Sequence, residues 1–163
     1  MPTTDNVLVK AAVRPPRELR NSTGHLLARL GWSLKARKLE AFEQAGESAY
    51  AHGVLCVLDE SPRETQATIA DALGFDRSWL VGLLDDLEAE GLIERKRDPA
   101  DRRRHLVSLL PGGKDKLARL RGISKRVEED FLAPLGPEER KTLHELLGRL
   151  AAHHDPRYGP NGS

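Results

Sequence analysis

The 163 residues carry 26 Lys and Arg against 25 Asp and Glu, a formal net charge of +1. That is length enough for one or two small domains and a real core, and too even a balance for a polycation, so any nucleic-acid footprint must be local. A single cysteine, Cys56, excludes an internal disulfide framework and suits a reducing compartment; apolar runs such as 54–58 fall far below the ~18 residues of a membrane span.

The first residues lack a basic segment followed by an apolar one, so no secretory leader and a cytoplasmic location are expected. Residues 1–16 read as a flexible tail ending in Pro15 and Pro16. One long helix is expected over 17–45, because Leu19, Leu26, Leu27, Leu30 and Leu34 recur at helical spacing and Leu39 and Phe42 extend the run. Gly46 could cap it. A second helix is expected over 48–59, with Val54, Leu55 and Leu58 inward and Pro62 as its stop. Gly53 inside that helix implies a close crossing or a later start.

Residues 66–91 carry a helix-turn-helix pattern. With Gln66 as position one, Ala70 falls where the two helices cross and only a small side chain fits. Gly74 falls in the turn, where a left-handed backbone is needed. Leu80 plugs the shared core, Asp76 suits the N-cap of the second helix, and Gly91 can end it. A structural helical hairpin would share this spacing; the basic segment beyond Gly91 narrows the choice.

Residues 92–96 and 105–109 read as two short strands joined by a turn-rich loop. Segment 94–105 holds six bases (Arg95, Lys96, Arg97, Arg102, Arg103, Arg104) and three acids (Glu94, Asp98, Asp101), a local +3. A basic hairpin tip beside a groove-reading helix can reach a minor groove, whose negative potential favours arginine. Asp101, two residues before Arg103, can hold that arginine extended.

Pro111, Gly112 and Gly113 open a third region. Leu117, Leu120, Ile123, Val127 and Phe131 form one helical stripe, and Leu143, Leu146, Leu147 and Leu150 another, before a polar tail at 155–163. These terminal stripes need more apolar surface than one copy offers, so a homodimer is expected, with a monomeric bundle as the alternative. The fold class is therefore mainly α with a small β-hairpin. A helical dimerisation region is expected at 17–45 and 112–154, a DNA-binding lobe at 46–111, and flexible tails at 1–16 and 155–163.

The strings ATIADALG (67–74), DRS (76–78), LEAEGLIER (87–95), DPADRRR (98–104) and VSL (107–109) closely resemble the MarR family of winged-helix transcriptional regulators. They cover about a third of the chain. The resemblance implies an obligate homodimer joined through its N- and C-terminal helices, and a pseudo-palindromic DNA operator, usually bound as a repressor. It also implies a small-molecule effector, often an aromatic acid, between the helical region and the DNA-binding lobe, and it maps the family's Asp-x-Arg element onto Asp101 and Arg103.

This sequence departs from the family's commoner recognition helix. Trp79, Val81 and Gly82 stand where small hydroxyl residues and an arginine are frequent, and Asp86 stands where a base is frequent. Residues 76–90 hold one base, Arg77, and five acids, a local −4. Acids near phosphates oppose binding, so the wing and phosphate contacts should carry more of the affinity than usual. Expected DNA-contacting residues are Thr65, Gln66, Arg77, Ser78, Trp79, Arg97, Asp101, Arg102, Arg103 and Arg104. The Trp79 ring would either meet a thymine methyl or pack as an ordinary apolar group. The acidic helix also leaves open a winged-helix module that binds protein instead of DNA.

No enzyme constellation, metal-ligand spacing or cofactor loop is present. For an effector, His25, Arg29 and Trp32 within two turns of one helix, with Tyr50 and His52 on the next, would suit an aromatic carboxylate; packing or solvation of these residues is the alternative. Cys56 among Val54, Leu55, Val57 and Leu58 reads as an inert buried thiol with no flanking base, against the alternative of a redox sensor.

Overall fold

Ser22 divides the expected N-terminal helix in two. In the computed structural model, which describes residues 13–61 and 63–159, a single turn α1 (Arg17–Arg20) ends at Asn21 and α2 (Thr23–Gln44) starts afresh. The Ser22 hydroxyl accepts the His25 N–H at 3.2 Å, an N-cap that a continuous helix could not use. The expected stop at Pro62, and residues 1–12 and 160–163 of the expected tails, lie outside the described residues. Ser48 caps α3 (Ala49–Glu60) in the same way, accepting from the Ala51 N–H. Gly53 marks a close crossing: a Cβ there would stand 3.4 Å from Leu73 of the next helix.

The helix-turn-helix comprises α4 (Gln66–Leu73) and α5 (Arg77–Ala89). Thr65 caps α4 through a reciprocal pair with Thr68, and Asp76 caps α5 by accepting the Trp79 N–H at 2.9 Å. Gly74 between them has φ 66° and ψ 32°, the left-handed conformation the turn requires. Ile69, Ala70, Leu80, Leu84 and Leu87 are buried where the helices meet α3.

Two wing strands, β2 (Ile93–Arg97) and β3 (His105–Leu109), pair antiparallel with Arg95 opposite Val107. Sequence reading missed a third strand, β1 (Glu64–Thr65), which pairs with the other edge of β3, Thr65 opposite Leu106. The sheet order is thus β1-β3-β2, and the wing is anchored on both sides of its central strand. The helix α6 (Pro111–Phe131) follows the last strand residue, Leu109, with only Leu110 between them and Pro111 at its first position. Gly113 is needed there, because a Cβ would run into the Leu92 carbonyl oxygen. The last long helix is α7 (Pro137–His154).

One core joins α3, α4, α5, the sheet and the first half of α6, with Phe42 reaching in from α2. The terminal helices contribute little else. None of the residues of α7 is buried, and Phe42 is the one buried residue of α2. Leu26, Leu27, Leu30, Leu146, Leu147 and Leu150 stand 38–53% exposed. Residues 155–159 of the expected C-terminal tail carry local structure. A 3-10 turn (Pro156–Tyr158) follows α7, Asp155 pairs with Arg157 at 2.6 Å, and Arg157 Nη1 donates to the Asp71 carbonyl of α4 at 2.8 Å.

Candidate nucleic-acid interface

The wing tip is built by its own short-range hydrogen bonds. The Asp98 N–H donates to the Arg104 carbonyl, and the Arg104 N–H to the Asp101 carbonyl, both at 2.9 Å. Asp98 also accepts the Ala100 N–H at 2.8 Å. Asp101 Oδ1 accepts the Arg103 N–H at 3.0 Å and lies 3.4 Å from its Nε. This carboxylate holds the Arg103 backbone and touches its guanidinium, while the side chain stays 92% exposed. Arg97, Arg102 and Arg104 are exposed around it.

The recognition helix buries Leu80, Leu84 and Leu87, which turns Ser78, Gly82, Asp85 and Ala89 outward. Arg77 sits exposed on its first turn, with Nη2 3.2 Å from Asp71 of α4. Trp79 leaves the outward face. Its ring makes edge contacts with Tyr50 of α3 at 5.0 Å and Phe75 at 5.3 Å, and it is 46% exposed. Trp79 thus packs along one edge while nearly half of it stays exposed, and Tyr50 belongs to this aromatic cluster, apart from the effector candidates with which it was grouped. Gln66 is half-buried at the start of α4. Thr65 is buried with its hydroxyl engaged by Thr68, so it positions α4 and presents no group outward.

Four of the five acids that made the recognition helix look repulsive are engaged. Asp76 is the N-cap. Arg95 of β2 donates to Glu88 through its backbone N–H at 2.9 Å and its guanidinium at 2.7 Å, and reaches Asp85 at 2.5 Å. The guanidinium, and then the backbone N–H, hold the Glu88 carboxyl below the usual carboxylate range. Glu90 pairs with Lys116 of α6, which also meets Glu47 at 2.9 Å; these partners, Glu47 foremost, raise the lysine above its ordinary value. The wing base is thereby clamped to the recognition helix, and the end of that helix to α6. Sequence reading assigned Arg95 to the basic patch and missed the clamp, since Glu88 and Asp85 lie seven and ten residues away.

A cleft of about 990 Å³ opens between α2, α6 and α7. Leu27, Leu34, Phe131 and Leu135 give it an apolar wall, and Arg121, Lys125, Arg140 and Lys141 line it together with Glu128 and Glu129, the latter 3.7 Å from Lys125. Of the effector candidates, His52 alone lines it; His25, Arg29 and Trp32 do not. The Arg29 guanidinium stands 5.7 Å from the centre of the Trp32 ring, which is 67% exposed. Cys56 is half-buried, and folding brings it what the sequence did not: His52 Nε2 at 3.4 Å and Arg121 nearby. Burial still pushes the thiol up, more than Arg121 pulls it down, so the Cys56 thiol is poorly activated. Among the described residues no helix is long and apolar enough to cross a membrane.

A model of the MarR family matches residues 48–104, the span from α3 to the wing tip. A putative transcriptional regulatory protein for the hcr operon of Thauera aromatica is 36% identical over 135 residues, covering 78% of this chain and 81% of that protein. The transcriptional repressor CouR, solved bound to a 23-mer DNA duplex, is 32% identical with a TM-score of 0.73; the match covers 85% of this chain and 98% of that one. BpsR of Bordetella bronchiseptica, from a structure on regulation of its DNA binding by 6-hydroxynicotinic acid, is 26% identical with a TM-score of 0.69, covering 84% and 98%. The Thauera protein and CouR are thus both described as regulators of transcription.

Proposed function

The chain belongs to the MarR family of DNA-binding transcriptional regulators, and on that premise we propose that it is a homodimeric, ligand-responsive repressor of a pseudo-palindromic operator. The observation that carries this reading is the pairing of an outward recognition-helix face with a wing whose Arg103 is 92% exposed and tied at its base by Asp101. Two copies of α5 enter successive major grooves about one helical turn apart, and each wing places Arg103 in the neighbouring minor groove. Arg77, Ser78, Arg97, Arg102 and Arg104 contact the backbone and base edges around them.

The homodimer rests on the uncovered leucines of α2 and α7, which a second copy would bury at ~25 cal/mol per Å² of apolar surface. Leu27, Leu30 and Leu147 belong both to that face and to the cleft wall, so dimerisation and cleft closure share a surface. An aromatic or similar anionic effector fits the cleft's apolar wall and its cations, and BpsR offers a relative regulated by such an acid. Its binding would move α6 against α7. The contacts of Lys116 with Glu90 and Glu47 pass that movement to the recognition helix, changing the spacing of the two reading heads.

Selection of binding sites from random duplexes with the full chain tests the reading. Two half-sites centred ~10 base pairs apart are expected. Recovery of no enriched sequence, or of unrelated single half-sites, would contradict it. Repeating the binding measurement with 6-hydroxynicotinate and related aromatic acids tests the effector, which should weaken binding.

A further inference from the structure

The middle of the recognition helix carries a residue that the fold does not need. Gly82 lies in the interior of α5 with ordinary helical backbone, it is exposed, and a Cβ built on it meets nothing within 4 Å. Glycine is among the poorest residues for a helix interior, so an alanine there would make the free protein more stable. Gly74 and Gly91 answer to positive φ, and Gly113 to the Leu92 carbonyl; neither reason applies to Gly82. The other helical glycines with comparable open space, Gly31, Gly122 and Gly148, lie in α2, α6 and α7, the helices assigned to dimerisation.

Position 82 is also central to the outward face. Leu80, Leu84 and Leu87 define the buried side, and at 100° per residue Ser78, Gly82 and Asp85 fall opposite it. Ser78 is small, and Asp85 is drawn to Arg95 at 2.5 Å. Val81, one step round the helix, is 40% exposed and uncharged. Trp79 is turned aside onto Tyr50 and Phe75. Asp86, one turn beyond Gly82, is exposed but short, so the face has no long side chain at its centre with which to span a gap to base edges. Only close approach of the backbone itself lets such a face make contact.

We propose that Gly82 and Val81 determine sequence specificity: Gly82 lets the backbone of the recognition helix approach the major-groove edge, and Val81 there packs against the C5-methyl of a thymine. This rests on the reading of α5 as the groove-entering helix. A β-branched apolar group against a thymine methyl discriminates by shape and desolvation, with no hydrogen bond required. The selected operator should accordingly carry a thymine in each half-site at the position facing Val81.

The test uses the full-length chain, the duplex recovered by selection, and the same duplex with deoxyuridine replacing thymidine one position at a time. Gly82→Ala should raise the unfolding temperature by ~2–4 °C and weaken binding by about tenfold. Those opposite signs separate a contact role from a structural one, which would move both together. Removing the one critical thymine methyl should weaken wild-type binding by roughly fourfold, and Val81→Ala should abolish that sensitivity. If wild type binds the duplex but Gly82→Ala binds it equally well or better, the close-approach role of Gly82 is wrong. If no thymine methyl matters, or Val81→Ala retains the sensitivity, the role of Val81 is wrong. If wild type enriches no duplex at all, the groove-entering reading falls, and this inference with it.

Discussion

The lobe between α3 and the wing and the helices that flank it are built from similar leucine-rich sequence, yet they close their surfaces differently. Inside the lobe, Leu55, Leu58, Ile69, Leu80, Leu84 and Val107 are sealed against one another, and charges that approach the core meet partners: Arg95 with Glu88 and Asp85, Lys116 with Glu47 and Glu90. Outside it, α2 and α7 keep rows of leucine uncovered. A lobe that is complete in one copy can be moved as a body. Flanking helices that are incomplete in one copy have a surface suited to holding two such bodies at a distance. On the proposed reading, the difference divides the labour between reading DNA and setting where the readers stand.

Breaking the incomplete half should have the largest effect. Leu30→Glu combined with Leu147→Glu places charges on the uncovered face, where each leucine is already exposed in one copy. Sedimentation should report a monomer, and affinity for a two-half-site duplex should fall by about a hundredfold or more as avidity is lost. A dimer that survives both charges would undo the division. Next in size is damage to the complete half. Leu84→Ala in the fully buried core should cost the lobe about 2–5 kcal/mol in denaturant unfolding, whereas Leu147→Ala should change association more than lobe stability.

The clamp between wing and recognition helix is a smaller term. Arg95→Gln removes the guanidinium that holds Glu88 and Asp85, and solvent screening at the partly exposed Glu88 limits the loss of stability to about 1 kcal/mol. DNA affinity should drop as well, because two unpaired carboxylates are then left on the groove-facing helix. Because Glu88 titrates lower when folded than its ordinary 4.5, this contribution is complete above that value and is lost as pH falls through the lowered one. Acid unfolding of Arg95→Gln should lack this component. The smallest effect concerns His52 in the cleft. Burial, and then the charges of Lys38 and Arg121, disfavour its imidazolium, so its NMR titration should fall below 6.5. For this group stability is retained above 6.5 and declines as the pH falls below it; an anionic effector in the cleft should shift the titration upward.

Legibility in the sequence obeys the same divide. The helix-turn-helix was legible because its signals are local: Asp76 at a cap, Gly74 at a left-handed turn, Ala70 at a crossing; the Thr65 cap of α4 was missed, that residue having been read as a DNA contact. The wing was legible for the same reason, since Asp101 and Arg103 meet within one loop. Long-range contacts were not. Two residues of β1 find their partner in β3, about forty positions away, and no periodicity announces so short a strand. The break at Ser22 was hidden by leucines whose spacing runs through it. Tyr50 and Trp79, assigned to different sites, share one aromatic cluster because folding brings the first turns of α3 and α5 side by side. The cleft was not legible because its cations come from α6 and α7, and only folding sets them opposite α2.

The division of labour depends first on the wing gripping DNA. Equilibrium binding of wild type and Arg103→Ala to the selected operator, across a series of salt concentrations, tests that most directly. Wild-type affinity should fall linearly on logarithmic axes as salt rises, while Arg103→Ala should bind at least about tenfold more weakly with a shallower slope and an unchanged unfolding temperature. Equal affinity and equal slope for the two proteins would contradict the account.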